Sequence, residues 1–168
     1  MGFYTALTER MNTSHDSAVN TFAEIARGFC SLCENVAVSD IQAASWLCQL
    51  YAAALVLPEV GSENSDGLPD LPPSLLERAK NNLAGFNGRY YREYFNPDVS
   101  LGDESVVGDI GDDLLDIYKD IRAGLLLFER GETKEALWHW AFLHRIHWGR
   151  HAVGAIFALH CLSIGAQE

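Results

Sequence analysis

The chain has 168 residues, enough for one domain with a sizeable core, and its 48% hydrophobic and 21% charged residues are typical of a soluble globular protein. Its formal net charge of −11 repels phosphate backbones and anionic lipids, which disfavours nucleic-acid binding and membrane-surface binding. The longest apolar run, residues 50–57, is far shorter than the roughly 20 residues that a membrane span needs. We therefore expect neither a nucleic acid nor a membrane as partner.

Two features favour a cytoplasmic location. The N-terminal segment MGFYTALTER lacks the basic start and the long apolar block of a signal peptide. The four cysteines (Cys30, Cys33, Cys48 and Cys161) are scattered through apolar stretches. This distribution predicts reduced thiols packed in the core rather than a disulfide framework.

Apolar residues at helical spacing, bounded by capping and turn residues, predict five helices at 13–33, 39–58, 74–86, 108–129 and 133–164. Residues 58–73 and 96–108 carry turn signals and are predicted to be loops, and the weakly patterned residues 1–12 are expected to be mobile. The aromatic segment 89–95 either extends a helix or runs as an isolated extended piece. No segment shows convincing period-2 alternation. The predicted fold is all-α: one domain over residues 1–168, a bundle of about five helices.

The tight connection at Gly131 predicts that the last two helices form an antiparallel hairpin. Aspartates on the first helix fall on one face, histidines on the second also fall on one face, and Trp148 flanks the histidines. Counting outward from Gly131 sets three pairs at matching heights: Asp113 with His151, Asp116 with His147, and Asp120 with His144.

One interpretation of these pairs is a metal site. His147 and His151, four residues apart on a helix, can bind one ion, as paired histidines of helical zinc sites do. Asp116, with Asp113 or Asp120, completes a nitrogen and oxygen set suited to zinc, manganese or iron. An open coordination position could then activate water for hydrolysis, and a metal-free variant would use the same residues as acid/base pairs.

The other interpretation, which we favour at this stage, is structural. Acidic residues in the first turn of a helix are stabilised by the helix dipole whatever their function. Buried histidines bonded to carboxylates would fix the register of the hairpin. This account explains Asp113 well but leaves Asp116 and Asp120 less explained.

Two glycines and two arginines lie within the last predicted helix. Gly149 and Gly154 weaken a helix, and their presence predicts a close helix approach or space for a ligand beside the histidines. Arg145 and Arg150 either hold an anionic ligand or pair with surface acids, and we favour the second.

The second half of the chain resembles a bacterial family known as a numbered domain of unknown function, number five thousand and sixty-three. The resemblance covers roughly residues 40–160. It rests on these segments: Phe95-Asn96-Pro97, Val106-Val107-Gly108, Asp112-Asp113-Leu114, Asp116-Ile117-Tyr118 with Asp120, Ala136-Leu137-Trp138, and above all His147-Trp148-Gly149-Arg150-His151-Ala152. It implies an all-helical bacterial protein and leaves the activity open.

Two functions therefore remain open. The first is a non-catalytic helical protein that binds a protein or small-molecule partner, with the histidine–aspartate pairs as an internal brace. The alternative is a metal-binding or metal-dependent hydrolase-like protein with its site between the last two helices. An exposed apolar face on the first or second helix could support a homodimer.

Overall fold

The computed structural model describes the backbone of residues 2–62, 67–102 and 104–165, and side chains from residue 17 onward. In these ranges the chain forms helices α1 (Gly2–Asn35), α2 (Asp40–Ala54), α3 (Pro73–Leu83), α4 (Ile110–Glu129), α5 (Thr133–Ile146) and α6 (Trp148–Leu159). Two short strands, β1 (Tyr90–Glu93) and β2 (Val106–Asp109), form an antiparallel hairpin. The predicted helical class is confirmed, with this hairpin added.

Helix α1 begins earlier than the sequence predicted. Its backbone is helical from Gly2, so the predicted start at residue 13 lies inside the helix and was wrong. Met1 and the side chains of residues 2–16 lie outside the described part of the chain. The expected mobility of residues 1–12 stays a prediction.

The starts of α2 and α4 rest on side-chain caps, and α4 begins at Ile110 rather than at residue 108 as predicted. Ser39 and Gln42 form a reciprocal capping box, in which the Ser39 amide donates to Gln42 Oε1 at 3.0 Å. Asp109 caps α4 by accepting from the Gly111 amide at 2.8 Å, and its second oxygen accepts from the Gly88 amide at 2.8 Å. Asp109 therefore ties the start of α4 to the turn before β1.

The third helix differs from its predicted range, 74–86, at both ends. It begins at Pro73, with proline in its first turn and no side-chain cap, and it is followed by a 3₁₀ turn at Ala84–Phe86. The α4–α5 connection is as predicted: Gly131, at φ 84°, adopts the left-handed conformation common just after a helix.

The β-hairpin contradicts the prediction that 96–108 is entirely loop and that 89–95 is helical or isolated. Tyr91 of β1 lies opposite Gly108 of β2. Each strand has only four residues, and Tyr91 is the buried one in β1, so neither strand produces a readable period-2 pattern. The hairpin carries Tyr91 toward the helices.

The predicted helix 133–164 is interrupted. The chain breaks at His147, whose φ of −142° and ψ of −90° separate α5 from α6, and a π-helical turn follows α6. Gly149 allows the break because a Cβ there would lie 2.1 Å from the carbonyl oxygen of His144. The predicted close approach at Gly149 is thus confirmed, and it occurs between the end of α5 and the start of α6.

Helix α4 is the central element of the bundle and packs against α1, α3, α5 and α6. Trp140 and Trp148 are fully buried, and the Phe22 ring lies 4.9 Å from that of Trp140. At the α1–α4 contact, Glu34 Oε1 accepts from the Tyr118 hydroxyl at 2.8 Å and from Arg122 Nε at 3.0 Å. Apolar packing thus surrounds one partly buried polar contact.

All four cysteines are free thiols. Cys30 and Cys33 are buried as predicted, and burial raises the pKa of the Cys33 thiol to about 12. Cys48 and Cys161 are exposed, contrary to prediction, because they lie on outward faces of α2 and of the turn after α6. Across the described ranges, the helices are too short or too polar to cross a bilayer.

The contact between Gly124 and Trp140 gives a test of the packing. A Cβ on Gly124 would lie 2.3 Å from Trp140 Nε1, and this indole is buried and donates to the Ile121 carbonyl. We expect Gly124→Ala to lower the free energy of unfolding by about 1–3 kcal/mol. Gly85→Ala is the control, because a Cβ there meets no atom within 4 Å. Equal stability of the two variants in urea unfolding would contradict the tight contact.

Candidate functional site

Two histidine–aspartate pairs join α4 to the start of α6. His151 Nδ1 lies 2.6 Å from Asp113 Oδ1, and His147 Nδ1 lies 2.6 Å from Asp120 Oδ2. The first pair is the one predicted. His147 was expected beside Asp116. Its Nδ1 faces Asp120, but a ligand atom of its ring also lies within 4.8 Å of one of Asp116, so the predicted set Asp116, His147 and His151 does come together.

His144 and Trp148 do not line this site. The His144 ring lies 4.8 Å from that of Tyr51 and 4.7 Å from that of Trp148, and burial lowers the pKa of His144. Trp148 is fully buried and donates from Nε1 to the Trp140 carbonyl at 3.2 Å. The predicted pairing of His144 with Asp120 was therefore wrong, and Trp148 supports the junction between α5 and α6.

Asp116, His147 and His151 lie close together and form the part of the site that could bind a metal ion. Each offers one potential ligand atom, and these atoms lie within 4.8 Å of one another. The two imidazole rings are 4.8 Å apart and nearly perpendicular. Since each Nδ1 faces a carboxylate, Nε2 is the ring nitrogen that remains for a ligand. The site thus presents two nitrogens and one carboxylate.

The pairing of histidines with carboxylates, together with burial, shifts pKa values in this site. The hydrogen bond to Asp113 raises the pKa of His151, and burial raises the pKa of Asp120. A carboxylate at Nδ1 fixes the orientation of the ring and makes the opposite nitrogen a better electron donor. Because His151 holds a proton more tightly, protons compete with any metal ion at that ring.

Tyr91 supports the site from the β-hairpin, and sequence reasoning missed it. Its hydroxyl donates to Asp113 Oδ2 at 2.7 Å, so the hydroxyl and His151 occupy the two oxygens of the same carboxylate. A Cβ on Gly154 would lie 2.3 Å from the Tyr91 hydroxyl oxygen, and a Cβ on Gly108 would lie 2.6 Å from its ring. Glycines in α6 and β2 thus make room for Tyr91, and Gly154 within the last predicted helix was the signal available in the sequence.

Charged residues surround this centre. Lys119 Nζ donates to Asp116 Oδ1 at 2.8 Å on the surface of α4. Arg150 Nη2 lies 3.4 Å from Glu93 Oε1, in line with the expectation that this arginine pairs with an acid. Glu93 lies near Arg150 because β1 runs beside α6. The sequence did not predict this position of Glu93, because it did not predict the β-hairpin.

Loss of the Asp113 charge should destabilise the metal-free protein. Asparagine is nearly the same size but cannot give both Tyr91 and His151 a charged acceptor, so we expect Asp113→Asn to lower the free energy of unfolding by about 1.5–3 kcal/mol. Asp112→Asn is the matched control, because Asp112 is exposed in the same first turn and shares any helix-dipole effect. Chemical unfolding in the presence of a chelator measures both, and equal losses would argue against the buried hydrogen bonds.

Comparisons with known proteins show which solved structure and which family model the chain matches. The structure is similar to the crystal structure of protein BF1032 from Bacteroides fragilis, with a TM-score of 0.71, 21% sequence identity, and coverage of 90% of this chain and 96% of that one. At this identity the likeness shows the fold alone. No curated protein matches the chain. The family model described as a domain of unknown function, DUF5063, matches residues 13–164. The chain therefore belongs to the DUF5063 family.

Proposed function

We propose that the protein binds a divalent metal ion through Asp116, His147 and His151, with zinc, manganese or iron as candidates. One observation supports this above all others: the Nδ1 atom of each histidine faces a carboxylate of α4, which leaves Nε2 free for a ligand, and Asp116 offers a third ligand atom within 4.8 Å of one on each ring. Carboxylate–histidine–metal arrangements of this kind recur in protein metal sites, where the carboxylate orients the ring.

The geometry fits an ion after small side-chain movements. Ligands on a tetrahedral zinc, at about 2.0–2.1 Å from the ion, lie about 3.4 Å apart. The three candidate atoms lie within 4.8 Å of one another, so rotation of the side chains would have to bring them closer. Asp116 and His147 are 33% and 42% exposed and have room to rotate, whereas Asp113 and Tyr91 hold His151 in place.

Three protein ligands leave at least one coordination position for water or a substrate. A metal ion with such an open position lowers the pKa of bound water toward about 7 and can polarise a carbonyl or phosphoryl oxygen. The exposure of His147 would let water reach the ion. Hydrolase-like chemistry is the activity that this donor set would support best.

The second candidate is a non-catalytic helical protein that binds a partner, with the histidine–aspartate pairs as its brace. Exposed apolar side chains favour it: Leu55, directly after α2, and Phe157 on α6 are 64% and 60% exposed and border one open cleft. A protein partner or a second copy of the chain would cover such a surface. The two candidates differ at Asp116, which belongs to neither histidine pair.

Elemental analysis tests the metal proposal directly. Full-length, tag-free protein purified without chelator or nickel resin should contain about one zinc, manganese or iron ion per chain. Asp116→Asn should abolish binding while changing stability by no more than a few tenths of a kcal/mol, because Asp116 contacts Lys119 in an exposed pair three residues apart.

Asp112→Asn is again the control and should retain the ion, as should His160→Ala, which removes an exposed histidine of the turn after α6. Absence of metal from the wild-type protein, together with no thermal shift on adding zinc, manganese or iron, would refute the proposal. Full metal binding by Asp116→Asn would refute this ligand set.

Tyr91 should tune the affinity for the ion without touching it. Without its hydroxyl, Asp113 loses one hydrogen bond and holds His151 less firmly, so we expect Tyr91→Phe to weaken zinc binding about tenfold. Tyr90→Phe is the matched control, because the neighbouring Tyr90 side chain is 65% exposed. Isothermal titration with zinc measures both, and equal affinities would reduce Tyr91 to a packing role.

A further inference from the structure

We infer that the cleft between β1 and α6 binds a small amphiphilic anion, an apolar chain ending in a carboxylate or a phosphate, beside the candidate metal centre. The inference rests on the proposed function in one respect: the anion would be the molecule that the metal centre holds or acts on. The cleft, its link to the metal ligands and its charge each support it.

The cleft has the size and lining of a small-molecule site. Its volume is about 380 Å³, within the range of ligand pockets. Tyr94, Val153 and Phe157 contribute apolar surface, and they are 60%, 50% and 60% exposed. Exposed apolar side chains that converge on a concave surface are typical of a site that shields an apolar ligand from water.

The lining is linked to the metal ligands by hydrogen bonds. Tyr91 lines the cleft and donates its hydroxyl to Asp113, the partner of His151. Arg150 and Gly154, which also line the cleft, lie on the same helix as His151. A ligand in the cleft would therefore lie against Tyr91, two hydrogen bonds away from His151.

The charge of the cleft is opposite to that of the whole chain. Arg92 and Arg150 line it together with a single carboxylate, Glu93, in a protein whose formal net charge is −11. A local excess of positive charge on an acidic protein attracts an anion to that place.

The side chain of Arg150 is positioned to bind that anion. Its Nη2 atom is buried and makes no hydrogen bond to any described residue, with Glu93 Oε1 at 3.4 Å. Its guanidinium lies over the Phe95 ring, 3.6 Å from the ring centre. Stacking fixes the plane of the group, and the edge of a planar guanidinium matches the two oxygens of a carboxylate or phosphate. Because Nη2 is buried, the guanidinium would have to turn toward the cleft, where the anionic head group would supply the acceptor that Nη2 lacks.

Titration calorimetry with two probes tests the inference on the zinc-loaded full chain. Octanoate and octyl phosphate should bind, and whichever binds more tightly identifies the head group. Octyl glucoside, which has the chain without the charge, and acetate, which has the charge without the chain, should bind at least about tenfold more weakly. Failure of both octyl anions to bind, or equal binding of octyl glucoside, would overturn the inference.

Matched variants locate the site. Arg150→Met should weaken binding of the preferred octyl anion about tenfold, because it removes a charge-assisted hydrogen bond. Arg145→Met is the control, since Arg145 is an exposed arginine of α5 whose Nη1 donates to Glu59. Phe157→Ser should weaken binding of the octyl chain, whereas Leu162→Ser, at another exposed apolar position, should not. Equal effects of Arg150→Met and Arg145→Met would overturn the assigned cleft.

The same titrations separate this inference from the metal proposal. If the wild-type protein binds zinc but neither octyl anion, the inference fails and the metal centre stands. If the chelator-treated protein binds an octyl anion and zinc does not bind, the cleft stands and the metal proposal fails.

Discussion

The arrangement of α4, α6 and the β-hairpin depends on one buried carboxylate. Asp113 is 4% exposed, and an ionised carboxylate at that depth is costly unless its oxygens accept hydrogen bonds. His151 contacts one oxygen and the Tyr91 hydroxyl contacts the other. Because these two partners come from α6 and β1, a single charge on α4 specifies where both elements must lie.

The break at His147 then determines which histidines serve the site. In one continuous helix, His144, His147 and His151 would share a face. The break instead leaves His144 between Tyr51 and Trp148 and brings His147 to Asp120. Its cost is reduced by new contacts, since Trp148 Nε1 donates to the carbonyl of Trp140 across the junction. A local interruption of the helix thus reduces a predicted row of three histidines to two that converge.

The parts of the site that the sequence predicted are those that follow from local spacing. Helical periodicity places Asp113, Asp116 and Asp120 on one face, and the turn at Gly131 sets the height of α5 against α4. The same counting could not foresee the backbone dihedrals of His147, which depend on how closely two turns approach at Gly149. The role of Tyr91 and the identity of the acid that pairs with Arg150 were beyond it for a different reason. Their contacts require the pairing of β1 with β2 across a loop, and two four-residue strands carry too little pattern to reveal it.

Asp116 is the residue at which a purely structural account of the site is weakest. A brace between α4 and α6 uses Asp113 and Asp120, each with one histidine, whereas the hydrogen bond of Asp116 is with Lys119 on the surface and Asp116 acts on the brace through its charge, which helps to raise the pKa of His151. Placing a further negative charge beside two carboxylates even costs energy, and the coulombic effect of Asp116 contributes to the raised pKa of Asp120. A divalent cation would reverse that cost, because it would take Asp116 as a ligand and make the two histidine–aspartate pairs its support. The position of Asp116 therefore favours a site shaped for a cation over a brace alone.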